Sequence, residues 1–294
     1  MNKNLSIDKC APGKKFTEGS CFTFDNLKII AEEYNKGNSD KINLNTIKTK
    51  RDLLKELTPR FQKKFGCEEQ TCWLKSKVIK EISNPDIKHN TFRPLGPKKQ
   101  FEWLSTRDIE SVMEQYQYKH KDFKFLGAMP SDFDELPIYG TTDLQFNQLE
   151  EYTPKIGAVI NLDTHDQSGS HWVGFFANLK TNTIYYFDSV GKKPQKRLNM
   201  FIRRLLTFMY NNTHKESLHY KKLNVEQFMN KYHNSDEFDV RYNKIQHQFK
   251  NSECGVYSMN FIIRILEGET FDDIVNNITN DDKMNENRNV YFRN

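Results

Sequence analysis

Cys254 follows the loop Gln246-His247-Gln248-Phe249-Lys250-Asn251-Ser252-Glu253 and opens an apolar run, Val256 to Leu266, whose spacing and closing Gly268 mark a helix. A cysteine in the first turn of a helix faces unpaired backbone N–H groups and the positive end of the helix dipole, which favour its thiolate. Gly255 beside it permits close approach of a substrate backbone. On this segment alone, a small buried residue at a helix start explains the pattern equally well. His171 stands at the beginning of one β-rich run, His171 to Leu179, and Asp188 at the end of another, Ile184 to Phe187, with the turn-like Lys180-Thr181-Asn182-Thr183 between them. The two arms of such a hairpin bring an imidazole and a carboxylate to the same end, which is what a base and its orienting group require. Each of these residues is ordinary alone. An ordered His, Asp, Gln, Cys series is not.

The elements that must position these residues follow from hydrophobic period and capping. Leu27, Ile30, Ala31 and Tyr34 have helical spacing behind Asp25, an expected N-cap. Thr49-Lys50-Arg51-Asp52 reads as a capping box ahead of Leu53, Leu54, Leu57 and Phe61, with Pro59 expected to kink or end that helix. Val78, Ile79 and Ile82 continue the helical pattern as far as Asn84-Pro85. Residues 90–100, with Pro94, Gly96 and Pro97, read as a linker, which divides the chain into a helical N-terminal domain, 1–95, and a second domain, 96–294. Ser105 and Asp108 cap a helix carrying Ile109, Val112, Met113 and Tyr116. Strands are expected near Phe123 to Leu126, over Lys155 to Leu162 and over Asp239 to Gln246, and an amphipathic helix over Gln195 to Tyr210. The segment Asp132-Phe133-Asp134-Glu135-Leu136 reads as a surface turn.

Composition narrows the function classes. With 294 residues, 36% hydrophobic and 28% charged, the chain is too long for a disulfide scaffold and too apolar for wholesale disorder, and its 22 Phe and 13 Tyr must carry much of the burial. No run approaches the ~20 apolar residues of a membrane span, and the polar start argues for an intracellular protein with no membrane partner. The charge of +5 is spread along the chain, too diffuse to argue a nucleic-acid partner. Cys10, Cys21, Cys67, Cys72 and Cys254 form an odd set without framework spacing, so free thiols are expected. Cys67 and Cys72, with His89 beyond them, give half a zinc pattern that no second pair completes; no metal or organic cofactor is expected.

The motifs Gly169-Ser170-His171-Trp172, Tyr186-Phe187-Asp188-Ser189, Gln248 and Cys254-Gly255-Val256-Tyr257 closely resemble the cysteine proteases of the SUMO-protease and adenain type, in that family's order. They look most like the branch encoded by nucleocytoplasmic large DNA viruses, which includes the African swine fever virus polyprotein protease and the poxvirus core protease. The resemblance is strong over about residues 101–290. Gly66-Cys67-Glu68-Glu69-Gln70-Thr71-Cys72 resembles the viral branch's accessory domain, and the tail Ile278-Thr279-Asn280-Asp281-Asp282 resembles the African swine fever type. It implies an α+β fold, a mixed sheet flanked by helices, behind a helical N-terminal domain. It implies Cys254 as nucleophile, His171 as general base, Asp188 as the group that fixes the imidazole, and Gln248 as oxyanion donor, with Asn251 a second candidate. Trp103 and Trp172 would wall a narrow tunnel for a glycine pair.

The implied substrate is a viral structural polyprotein, cut after Gly-Gly or Ala-Gly during virion maturation, and the implied location is the virion and the viral factory of the host cytoplasm. Two alternatives stay open: removal of SUMO-like or ubiquitin-like modifiers, and a catalytically silent virion binding module. Where the family has Trp-Leu-Asn-Asp, this chain has Trp103-Leu104-Ser105-Thr106, without the acidic residue that eukaryotic members use to grip a modifier tail.

Overall fold

The structure is a computed structural model, and it describes residues 9–233 and 235–293. The chain divides into two compact units: one runs to Gly96 and takes in the segment from Asn289 onward, and the other spans Pro97–Arg288. The expected second domain therefore loses its last residues. Their place in the N-terminal unit is made by backbone pairing, with the Arg293 N–H donating to the Pro94 carbonyl at 2.9 Å and the Arg93 guanidinium to the Asn289 carbonyl at 2.9 Å. Sequence spacing carries no signal for a pairing of that range.

The N-terminal unit is helical. Helix α1, Phe24–Lys36, is capped by Thr23 rather than Asp25, and buries Leu27, Ile30, Ala31 and Tyr34. Helix α2, Lys50–Phe65, has the expected capping box, in which the Thr49 hydroxyl accepts from the Asp52 N–H and the Asp52 carboxylate accepts from the Thr49 N–H. Pro59 does not end it. Pro59 lies on the exposed side, while Leu53, Leu57 and Phe61 remain on one buried stripe that holds the helix through the missing hydrogen bond.

The expectation of five free thiols fails for four of them. Cys10–Cys21 and Cys67–Cys72 are disulfide-bonded, with Cα separations of 5.5 and 5.4 Å, inside the span a disulfide bridges. The pairs are set by the fold: Cys10 is held in a β-bridge to Phe92, and Cys67 follows the Gly66 left-handed cap of α2. The half-zinc pattern of Cys67 and Cys72 is thereby used up.

The second unit is built on a mixed sheet of order β1-β2-β3-β4-β5. Strands β1, Phe123–Met129, and β2, Lys155–Asn161, pair in parallel; β3, Trp172–Asn178, is antiparallel to β2 and to β4, Thr183–Phe187; β5, Asp239–Tyr242, is parallel to β4. Helices α3, Thr106–Lys119, α4, Lys196–His214, α5, Val225–Tyr232, and α6, Cys254–Leu266, complete the set used below. Two of these differ from expectation: β5 is shorter and α5 carries no strong sequence signal. The expected surface turn after β1 is only partly at the surface: Glu135 is exposed, but Asp132 and Phe133 are buried.

Helix α6 lies directly on β3, and a glycine makes this possible. A Cβ at Gly174 would stand 2.9 Å from the Phe261 ring and 3.0 Å from the Ser258 carbonyl, so only hydrogen at that position lets helix and strand meet. Phe261 then stacks on Phe187 of β4 at 5.1 Å between centroids. This contact holds the middle of α6 against the end of the β3–β4 hairpin.

Candidate active site

Cys254 is the first residue of α6 and is 5% exposed. Glu253, at the N-cap, makes no side-chain bond to the helix. Its carboxylate turns instead to Arg288, whose Nε donates to Oε2 at 2.8 Å and whose Nη2 donates to Oε1 at 3.2 Å, and it also accepts from Ser252 Oγ and Asn285 Nδ2. A buried ion pair thus anchors the backbone one residue before the thiol. Gly255 faces Leu104 and Trp172: a Cβ there would come within 3.2 and 3.3 Å of them.

His171 immediately precedes β3, where its carbonyl accepts from the Leu162 N–H at 2.9 Å. Asp188 immediately follows β4 and is fully buried. The hairpin joins them as its register requires: His171 Nε2 donates to Asp188 Oδ1 at 2.7 Å. Asp188 is held in turn by a residue that sequence reasoning missed. Asn243, just past β5, accepts from the Asp188 N–H at 2.8 Å and donates to its carbonyl at 2.7 Å. Because Nε2 is committed to Asp188, Nδ1 is the ring nitrogen left to face the Cys254 thiol, whose proximity favours the charged imidazole. Burial of the ring works against its charge, but the bond to Asp188 and the neighbouring Cys254 outweigh it, and the His171 pKa is pushed up to about 9.

Gln248 is buried beside them. Its Oε1 accepts from Ser189 Oγ at 2.6 Å, its Nε2 donates to the Lys250 carbonyl at 2.7 Å, and its backbone N–H donates to the Ser189 carbonyl. One of the two amide hydrogens is used and the other is left to donate. The tail segment has a definite task here: Asp281 Oδ2 accepts from the backbone N–H groups of Phe249 and Lys250 at 2.9 and 3.0 Å and pins the loop that carries Gln248. Asn251 is exposed. His247 supports the same loop, with Nε2 against the Val275 carbonyl at 3.1 Å.

Trp172 is anchored by its indole N–H, which donates to the Leu104 carbonyl at 3.1 Å, whereas Trp103 is half exposed. Both line a groove of about 460 Å³. A second cavity, about 210 Å³ between β4, β5 and α5, contains none of the residues above. Thiol, imidazole and carboxylate together, with a spare amide N–H on the Gln248 side chain, are an arrangement suited to acyl transfer.

Residues 153–293 match the Ulp1 protease family, C-terminal catalytic domain. A protein of Acanthamoeba polyphaga mimivirus named as a thiol protease is 34% identical over 97% of this chain and 93% of its own length. A protein of African swine fever virus named as a SUMO-1 cysteine protease is 22% identical over 82% of this chain and 89% of its own length. The crystal structure of an African swine fever virus protease superposes with a TM-score of 0.58 at 19% identity, covering 88% of this chain and 94% of that one. An identity of 34% along nearly the whole of both chains, over a Ulp1-type fold, places this chain in the Ulp1 family of thiol proteases, in the branch carried by large DNA viruses.

Proposed function

We propose that this viral thiol protease is an endopeptidase that cuts a structural polyprotein after Gly-Gly or Ala-Gly during virion maturation, in the particle and the cytoplasmic viral factory. The observation that carries the reading is the His171–Asp188 hydrogen bond beside Cys254 at the start of α6. In the proposed sequence the Cys254 thiolate attacks the scissile carbonyl carbon, and the oxyanion takes the free Gln248 amide N–H and the Cys254 backbone N–H. The C–N bond breaks as the His171 imidazolium passes its proton to the departing amine. Water, deprotonated by His171, then attacks the thioester, releasing the carboxylic acid and restoring the thiolate. Asp188 holds the ring in one orientation throughout.

Replacing Gln248 with Ala is expected to lower kcat ~10²-fold, about 3 kcal/mol of oxyanion stabilisation, with little change in KM. A change in KM alone would move Gln248 into substrate binding, and a null result beside a large loss in Asn251→Ala would transfer the role. The pH profile has a definite sign. A protonated His171 is needed to release the amine, so kcat/KM is expected to fall as pH rises through about 9. Asp188→Asn removes the anion that holds the proton and should shift that limb toward lower pH; a limb that stays in place counts against the pairing.

Specificity for a small dipeptide rests on Trp103, Trp172 and the closeness of Gly255 to Trp172 and Leu104. In a peptide series, Gly-Gly and Ala-Gly should be cleaved and Leu-Gly or Gly-Val should not; efficient cutting after Lys, Arg or a bulky apolar residue sinks the reading. The name of the African swine fever relative favours a second reading, deconjugation of a SUMO-like modifier. A modifier-amide substrate compared with Gly-Gly peptides separates the two, and an active-site thiol probe separates both from a silent binding module.

A further inference from the structure

The groove that contains Trp103, Leu104 and Trp172 is lined by neither Cys254 nor His171. If the indoles pass the glycine pair, the groove beyond them holds the residues further upstream in the substrate, an assignment that rests on the reading above. Its wall is the connection between β2 and β3, and that wall is built rigidly. The Ser131 N–H donates to the Asp163 carbonyl at 2.8 Å, Ser170 Oγ donates to the Asp163 carboxylate at 2.9 Å, and Asn161 Oδ1 accepts from the Asp163 and Ser170 N–H groups.

The strongest tie is Asp132, which spends both carboxylate oxygens on His165: Oδ1 accepts from the His165 N–H at 3.0 Å and Oδ2 from its ring Nδ1 at 2.6 Å. The Asp132 side chain is 7% exposed and that of His165 57%, so a buried carboxylate presents an open imidazole to the groove. The groove walls carry Asp163 and His165 as charged groups and no lysine or arginine.

We infer that this groove selects a cationic side chain upstream of the glycine pair, with Asp163 as the attracting charge and the Asp132–His165 pair as a pH-dependent brake on it. A positively charged His165 offsets Asp132 and leaves Asp163 as the net charge; a neutral His165 leaves two. The hydrogen bond to Asp132 opposes desolvation and raises the His165 pKa above its ordinary value, with Asp166 acting in the same direction from the same loop. Tyr139, across the groove, stays neutral because burial raises its pKa, with Glu110 and Asp132 adding to the effect. The brake is therefore on at acidic pH and is released as pH rises through the His165 value.

The test uses the full chain and three Gly-Gly peptides that differ only upstream of the pair, carrying Lys, Gln or Glu. The ratio of kcat/KM for Lys over Glu should exceed one by roughly five-fold, the scale of a partly exposed charge pair, and should shrink toward one as salt is raised. The ratio, in which the shared catalytic profile cancels, should increase as pH rises through the His165 value, which lies above the ordinary histidine range. Asp163→Asn should lower the ratio, and His165→Gln should flatten its pH dependence. A Lys/Glu ratio of one or less, or a ratio insensitive to salt, overturns the inference while cleavage of the Gln peptide leaves the proposed function standing. Failure to cut any of the three overturns both.

Discussion

Cys254→Ala is expected to give a folded protein whose peptidase activity is reduced at least ~10⁴-fold, to the residue that binding and oxyanion stabilisation alone can supply. The substitution removes one sulfur and keeps the Cβ, so the packing of α6 on β3 through Gly174 and Phe261 is untouched. No other thiol can take over. Among the described residues Cys254 is the free cysteine, the other four being tied in Cys10–Cys21 and Cys67–Cys72. The measurement is kcat/KM on a Gly-Gly peptide together with a thermal melt. More than trace turnover with an unchanged melt would remove Cys254 from the chemistry. A thiol-directed probe at mildly acidic pH should add a single label to the native protein and none to the variant.

The parts of this site that sequence reveals are those set by local physics. The β3–β4 hairpin follows from two β-rich runs and a short turn, and it alone brings His171 to Asp188. Capping boxes at Thr49 and Ser105 and the helix start at Cys254 are likewise short-range signals. What escapes is whatever depends on distant partners. The parallel pairings of β1 and β5 have no local signature, and Asn243 clasps Asp188 across 55 residues of chain. Asp281 is visible only as a motif without a task until its carboxylate is seen on the Gln248 loop. Asp132, in a segment that reads as a surface turn, is buried, and the His165 backbone N–H and ring Nδ1 satisfy its two carboxylate oxygens. Disulfide pairing escapes although the partners are only 11 and 5 residues apart, because spacing alone does not say that the fold brings their Cα atoms to 5.5 and 5.4 Å.

Arg288→Ala should be the most destabilising single change near the site. Glu253 sits at the N-cap of α6 with its side chain 2% exposed, and Arg288, 9% exposed, supplies the charge that balances it. Such a pair adds little over an apolar replacement of both partners, but removing one leaves a buried carboxylate held only by Ser252 and Asn285, a loss of about 3–5 kcal/mol. For a unit of this size that corresponds to a fall in Tm of roughly 10 °C. Glu253→Gln in the same chain removes the stranded charge and should recover part of the loss, so the double variant should melt above Arg288→Ala alone. The effect also reaches the chemistry. Arg288 Nη2 donates to the Ser252 carbonyl at 3.1 Å, which fixes the two residues before Cys254 and with them the backbone N–H that the oxyanion would use. Residual activity measured well below the melt should therefore show a reduced kcat with KM little changed. A variant that loses less than ~1 kcal/mol would mean that water reaches Glu253, and the pair would then be a surface contact rather than the anchor of the nucleophile's helix.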